Sequence, residues 1–534
     1  MSTPQSIIHI CSGVSLNPSY EHTIYFNDSA SQLAYFAGKV VKTFSAYTFL
    51  RKTWDIKVEA TMVQAFSWSY LYFNNYNSKT YFYFINNVEY ISDTTVKLSL
   101  ELDVMQTYMF NYELLPSFVE REHADSDEVG ENTLDEGLET GELLHSGVTN
   151  IHLGELCMLF LATYDPMTTN ETYTDSIVAA RYNGVYSGLG LFAVNMDDFV
   201  AWGAKLKLLD EAGKSEGIVA MWMYPKTLVT LKEGDGWDSL NVCHRVTTVA
   251  PFETDVVQST TLNGYVPRNK KLLTYPFNFL YVSDNTGGGA VYRYERSNID
   301  GRIKFKVTGA LSPEGVVKMY PLDYNNTAKN YDEGLTVSGF PVCAWNSDVY
   351  KLWLAQNQNQ LRNSEVNAYI QTGVGLVSMV GGAVTGNIKV AGAGAGAMIH
   401  GATQINGLMA QKKDKAIQPP QSKGSFSASV NVVEGYQTFT AHNKTLDRYH
   451  ARIIDDYFSM YGYKTHRVKV PNRAVRKNWT YTKTVDCHIK SNICTEDTVK
   501  IESIYNKGIT FWMDGNNVGN YVKDADGVLD NPII

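Results

Sequence analysis

Along the first 125 residues apolar and polar positions alternate with a period of two, in HTIYFN, KTFSAYTFL, TWDIKVEA, KTYFYFINNVEYI and TVKLSLELD. Successive strand side chains point to opposite faces, so this alternation predicts half-buried strands at the spacing of a sandwich or barrel. The stretch Val104 to Tyr112 breaks the pattern and predicts a short helix, followed by a strand in PSFVEREH. An acidic run, ADSDEVGENTLDEGLETGE, predicts a surface loop or boundary near residues 124–142. From there to about residue 340, strands such as CMLFLATY and VYRYERSNIDGRIKFKVTGAL are punctuated by glycine turns, with a helical portion at Met196 to Lys214. NSDVYKLWLAQNQNQLRNSEVNAYI predicts a helix capped by Ser347 or Asn346, whose side-chain oxygens can accept from a first-turn N–H. After Lys423 strands return in SFSASVNVVEGYQTFT. An amphipathic helix follows in NKTLDRYHARIIDDYFSMYGYK, where Leu446, Tyr449, Ile453, Tyr457 and Met460 recur at helical spacing. HRVKV, NWTYTKTVDCHI and TVKIESIYNKGITFW close the chain with further strand and helix. The pattern predicts a mainly β, β-rich α+β fold.

One segment obeys neither period. Residues 366–411 carry a single formal charge, Lys389, in a run of Gly, Ala, Val, Ile, Leu and Met. Lys389 divides it into Tyr369–Ile388 and Val390–Ala410, each close to the roughly 20 apolar residues that a bilayer-spanning helix needs. Gly costs about 1 kcal/mol against Ala inside a helix, and Gln371, Asn387, Gln404 and Asn406 add polar groups. Small residues four apart, Gly382 with Gly386 and Gly392 with Gly396, let helices approach closely in lipid. The run therefore reads as a segment that enters membranes conditionally and as an assembly. Its flanks fit: Glu365 precedes it, and Lys412, Lys413, Asp414 and Lys415 follow before Pro419 and Pro420 stop any helix. A flexible glycine linker is the plain alternative, but linkers are usually rich in Ser, Pro and charge. A dinucleotide fingerprint at Gly392, Gly394 and Ala397 lacks the second strand ending in an acid.

Composition bounds the remaining functions. The chain has 534 residues, 12% aromatic with 35 Tyr, and a net charge of −9. That charge argues against a dedicated nucleic-acid binder, which needs clustered Lys and Arg. The exception is GYKTHRVKVPNRAVRKNWTYTK, where Lys464, Arg467, Lys469, Arg473, Arg476, Lys477 and Lys483 interleave with Tyr463, Trp479 and Tyr481. It reads either as a single-strand platform or as a solvated strand face or subunit contact. Cys11, Cys157, Cys243, Cys343, Cys487 and Cys494 stand singly, without metal or redox spacing, and read as reduced core residues, with pairing of Cys487 and Cys494 left open. MSTPQSIIHICSG lacks the basic start and long apolar region of a signal peptide. His123 with Glu120 and Glu122, and Glu136, could be drawn as metal ligands or an acid pair, but strand and loop ion pairs explain them better. No phosphate-cradling loop, nucleophile elbow or metalloprotease helix occurs, so no catalytic, cofactor-binding or metal site is expected.

Particular strings carry a resemblance. LELDVMQTYMFNYELLPSFVEREH, TLDEGLETG, YFSMYGYKTHRVKVPN with NWTYTKTVDC, and IYNKGITFWMDGNNVGNY look like the distal tail knob, or tail tube, proteins of phi-29-like short-tailed bacteriophages. The likeness covers the N-terminal 140 residues and the C-terminal 100 well, and residues 145–330 weakly. It implies tandem β-barrel or sandwich tube domains: 1–142 N-terminal, 143–345 middle, 346–424 the helix and apolar loop, 425–534 completing the tube. It implies a virion protein at the distal end of the tail, a homohexamer below a lower collar or connector protein, with viral double-stranded DNA passing through the lumen. The apolar loops would close the tube and then enter the host cytoplasmic membrane as a channel. Carried over by position, Ile370, Leu376, Val377, Met379, Val380, Val384, Ile388, Met398, Ile399, Ile405, Leu408 and Met409 become the lipid-facing candidates. An acidic lumen wall would repel DNA and limit sticking. A structural plug or receptor-binding adhesin without pore activity is the alternative; a secreted pore-forming toxin fits the strings and the N-terminus less well.

Overall fold

The two-residue alternation at the N-terminus becomes a seven-stranded antiparallel sheet, ordered Val40–Phe44, Ile8–Cys11, Tyr70–Asn74, Thr80–Ser92, Thr95–Leu102, Asp55–Glu59 and Thr48–Leu50. The computed structural model describes residues 6–50, 54–74, 79–162, 180–182, 185–187, 190–211, 218–237, 239, 241–285, 287–312, 315–343, 345–346, 422–423 and 438–534. They form two compact units, Met1–Leu144 with Thr260–Asn278 and Thr445–Ile534, and His145–Ser259 with Phe279–Lys444. The fold is mainly β.

In the first unit both faces of the seven-stranded sheet are buried. Ile8, Ile10, Ile56, Leu71, Val96 and Leu98 build one apolar cluster. Cys11, Tyr70, Tyr72, Phe82 and Phe84 meet Phe36, Met105, Ile501 and Tyr505 on the other side. Helices therefore cover the second face: Ser29–Ala37, capped by Asp28, then Val104–Tyr108 and Thr495–Lys507. A five-stranded sheet, ordered His22–Ile24, Ile509–Trp512, Trp479–Asp486, Ser117–Glu122 and Tyr463–Lys469, completes the unit.

The second unit packs three sheets around one core, which includes Leu159, Phe160, Phe192, Trp202, Trp222, Leu280, Phe305 and Phe439. The strands Leu156–Ala162 and Gly190–Val194 are buried almost throughout, as befits their unbroken apolar runs. A five-stranded sheet is built on Phe252–Val257, Arg302–Gly309 and Val317–Tyr324. A four-stranded sheet orders Leu143–His152, Thr438–Leu446, Asn278–Ser283 and Gly289–Tyr292.

Several expectations shift. The helix expected over Val104 to Tyr112 ends at Tyr108, because Tyr112 pairs with Ser491 in a strand. That at Met196 to Lys214 is a 3-10 turn, Met196–Asp198, leading into Phe199–Glu211; Lys214 lies outside the described residues. Asn346 is in a short strand rather than at a helix cap, while Ser347 and the helix it would cap lie outside the described residues. The amphipathic helix is present as Arg448–Tyr461, but its buried face is Ala451, Ile454, Asp455, Phe458 and Ser459. Tyr449 and Ile453 face solvent, and Leu446 belongs to the preceding strand. The reason is Asp455, an acid on the buried face that accepts from Tyr265 Oη at 2.7 Å, Arg268 N at 3.0 Å, Asn269 N at 3.1 Å and Asn269 Nδ2 at 2.7 Å.

Candidate functional site

The lipid-facing candidates Ile370, Leu376, Val377, Met379, Val380, Val384, Ile388, Met398, Ile399, Ile405, Leu408 and Met409 lie outside the described residues. What the structure supplies is the base from which their segment departs. Trp345 pairs with Lys423 and Asn346 with Ser422 in an antiparallel bridge, so the chain leaves and returns at adjacent positions. Just before it, Val342–Cys343 pairs with the strand Ile218–Pro225, Trp222 opposite Val342 and Met221 opposite Cys343, with Phe340 and Val342 buried in the core. The outgoing leg is thus fastened to a sheet edge of the second unit.

The return leg feeds Thr438–Leu446, an inner strand of the four-stranded sheet. Phe439 and Ala441 enter the core, which sends Thr438, Thr440 and His442, each half-buried, to the opposite face. There Asn285 Nδ2 donates to the Thr438 carbonyl at 2.8 Å and to Thr440 Oγ1 at 2.9 Å. The His442 ring stacks on Tyr281 at 6.2 Å between centroids and meets His145 edge-on at 4.8 Å. Lys444 Nζ donates to His145 Nε2 at 2.9 Å. Burial lowers the His442 pKa, and the neighbouring His145 and Lys444 lower it further. None of the four strands contains Asp, Glu or Arg. The two edge strands, Leu143–His152 and Gly289–Tyr292, carry no Lys either. Sequence reading passed over this cluster, whose histidines are 297 positions apart and share no motif. Only the His-x-Lys alternation of His442 and Lys444 on one strand face could have pointed to it.

The carboxylates drawn as possible ligands in the first unit are each engaged by cations. Glu136, only 1% exposed at its side chain, is bonded to both Lys271 and Arg121 and accepts from Lys464 N at 3.0 Å. Glu122 pairs with Lys469 at 2.6 Å and Glu120 with Lys483 at 2.8 Å. His123 is fully enclosed; its Nδ1 accepts from Tyr481 N at 2.7 Å and its Nε2 donates to the Ser459 carbonyl at 3.1 Å. Burial, aided by Arg476, pushes its pKa down to about 3, so it is neutral. The acidic run at 124–142 is thus not only surface, since Asp127 also reaches inward to Tyr463 and to Lys270 N at 3.0 Å.

The basic and aromatic segment resolves in the same way. Tyr463 and Trp479 are core residues, Lys469 and Lys483 are ion-paired, and Arg473 is held over the rings of Tyr25 and Tyr112. With Tyr463 and Trp479 in the interior and half-buried Tyr481 packed edge-on against Tyr461, the segment lacks the row of exposed rings on which single strands stack. Cys487 and Cys494 are both free thiols, the second donating to Asp497 Oδ2 at 3.1 Å.

Comparison with known proteins gives a consistent result. Residues 247–526, more than half the chain, match the family described as the C-terminal domain of the Bacillus phage phi29 tail knob protein gp9. Residues 4–113 match the N-terminus of caudoviral major tail proteins. The chain is 26% identical to the tail knob protein gp9 of Bacillus phage B103, covering 97% of this chain and 98% of that protein. It is 24% identical to the gp9 tail knob protein of Bacillus phage phi29, covering 96% and 97%. Among solved structures, the tail knob protein gp12 of bacteriophage C1 shares the fold with a TM-score of 0.66 at 13% identity, over 99% of this chain and 100% of that one.

Proposed function

The chain belongs to the phi29 tail knob protein family, and from that premise we propose that it builds the distal DNA conduit of a phage tail and carries the device that opens the host membrane. Its relatives are structural proteins of the virion, not enzymes. The observation that carries the membrane part is the pairing of Trp345 with Lys423, which makes everything between them a single insertion whose centre, 366–411, holds one charge.

Assembly has its own support. A sheet edge is a row of unpaired N–H and C=O groups, and proteins usually block it with charge or proline. The strands Leu143–His152 and Gly289–Tyr292 have neither. Two non-identical edge strands without charge or proline on one sheet suit head-to-tail association, which closes into a ring. The ring is a homohexamer mounted on the lower collar protein, with viral double-stranded DNA in its lumen.

Inside that ring six apolar segments hide one another from water, gaining roughly 25 cal/mol per Å² of covered apolar surface. Once displaced they face water or bilayer, and the bilayer is favoured. Six insertions of two apolar halves each supply enough spans to line a pore in the host cytoplasmic membrane. Glycine keeps the segment pliable enough for both states, at a cost in helicity that lipid burial offsets.

The test is dye release from anionic liposomes by the purified protein, intact and with Val366 to Gln411 replaced by a short Gly/Ser linker. Leakage that vanishes with the segment is the expected result. Equal silence from both, with tubes still forming, would reduce the segment to a plug and sink the channel.

A further inference from the structure

Two imidazoles and an ammonium join the strand Thr438–Leu446 to its neighbour Leu143–His152. Lys444 Nζ donates to His145 Nε2 at 2.9 Å, and the rings of His145 and His442 stand edge to face at 4.8 Å between centroids. All three side chains belong to the second unit. We propose that they form an acid-sensitive catch between the two strands, closed while both histidines are neutral and sprung when they take up protons. The catch goes beyond the membrane reading and does not depend on it, although the strand concerned is the one into which the insertion returns.

The bond itself is the sensor. An ammonium can only donate, so its contact with His145 requires a lone pair on Nε2. In the imidazolium both ring nitrogens carry protons, which turns that acceptor into a donor facing a donor and sets two positive charges side by side. His442 adds a third group of the same sign. Its Nδ1 is enclosed and has no partner, so a protonated ring would aim an N–H at nothing that accepts it. Burial lowers the His442 pKa, and His145 and Lys444 lower it further. The folded value thus lies below the unfolded 6.5, so the contribution of this ring is complete above pH 6.5 and is lost as pH falls toward the folded value.

Nothing on the sheet offsets the added charge. The groups facing His442 are His145 on Leu143–His152, Tyr281 on Asn278–Ser283 and Lys444 on its own strand. None of the four strands contains Asp or Glu. The acids closest in sequence are engaged elsewhere or stand in solvent: Asp447 bonds His450 and the helix N–H groups of Tyr449 and His450, Asp284 Oδ1 accepts from Gly288 N at 2.8 Å, and Glu142 is exposed. Among the described residues no carboxylate contributes to the shift at His442. A histidine with a carboxylate partner gains from protonation, whereas this pair loses a bond and gains a repulsion.

The experiment is amide hydrogen exchange on the full chain at pH 7.5 and pH 5.0, corrected for the intrinsic pH dependence and read by mass spectrometry on peptides spanning Thr438–Leu446. The strand Leu156–Ala162, in the core of the same unit, is the internal reference. Wild-type protection of Thr438–Leu446 is expected to fall by about tenfold at the lower pH, the effect of one pKa unit on a single group, while the reference holds. His145→Gln/His442→Gln keeps an acceptor for Lys444 without a titrating ring and is expected to abolish the loss. Lys444→Gln removes the ammonium and is expected to reduce it, and His488→Gln, an exposed histidine of the first unit, to leave it as in wild type. Unchanged wild-type protection overturns the catch whether or not the variants fold. So does an equal loss in the double variant, or an equal loss in the reference strand, since acid would then be loosening the unit as a whole.

Discussion

Glu136 shows how a residue from an acidic surface run becomes a structural pivot. Two cations, Lys271 and Arg121, converge on one carboxylate that is almost wholly enclosed, and Lys464 N adds a third donor. Burying three charges is expensive, and only their mutual contact offsets the lost hydration. Glu136→Ala leaves both cations enclosed without a counter-charge and is expected to cost about 3–5 kcal/mol, read as a lower denaturant midpoint at unchanged slope. His123 adds a pH signature. Its folded pKa, about 3, lies below the unfolded value of 6.5, so the unfolded chain takes up the proton first as pH falls. Stability from this group is complete above pH 6.5 and is lost progressively from there toward pH 3, by up to about 1.4 kcal/mol per pH unit. His123→Gln should melt below wild type at pH 7.5, with the gap narrowing by pH 5. A constant gap would mean that the imidazole is not buried neutral.

At the scale of elements, the helix Arg448–Tyr461 separates what a sequence pattern reveals from what it conceals. Its existence was legible: Asp447 caps it by accepting from Tyr449 N and His450 N at 2.8 and 3.1 Å, and Gly462 ends it at φ +65°. A Cβ at Gly462 would come within 2.0 Å of the Glu122 carbonyl oxygen, so glycine is required by close approach as well as by φ. The buried face was not legible, because apolar spacing selected Tyr449, Ile453 and Tyr457. The face that packs includes Asp455 and Ser459, whose partners sit 186 to 190 residues away. No local pattern encodes a partner at that distance. Adjacent isoleucines give the test: Ile454 is 4% exposed and Ile453 49%. Ile454→Ala is expected to cost about 2–5 kcal/mol and Ile453→Ala about 0.5 kcal/mol or less, measured by chemical denaturation. Equal losses would restore the face that the periodicity suggested.

At the scale of the molecule, the difference lies between constraints that act locally and those that act through topology. A run of two uncharged, bilayer-length halves around a single lysine is a local demand on composition, so residues 366–411 stood out without any structure. The pairing of Trp345 with Lys423 and the joining of Thr260–Asn278 to the first unit are contacts between distant stretches, and their residues look ordinary in sequence. The same contrast predicts how the protein tolerates loss of the run. Both legs are fastened outside it, by the strand Val342–Cys343 and by Thr438–Leu446, so the second unit's sheets keep every described strand pair when 366–411 is removed. Loop-closure entropy changes slowly, by only about 0.6 kcal/mol for each doubling of length, and a shorter linker shifts it in the favourable direction. Replacing Val366 to Gln411 with a short Gly/Ser linker should therefore leave the thermal midpoint of the unassembled chain within about 2 °C, judged against the roughly 2–4 °C that 1 kcal/mol moves a large domain. A drop beyond that would place the apolar run inside a folded core, where its freedom from charge would reflect packing within one chain and no readiness for lipid.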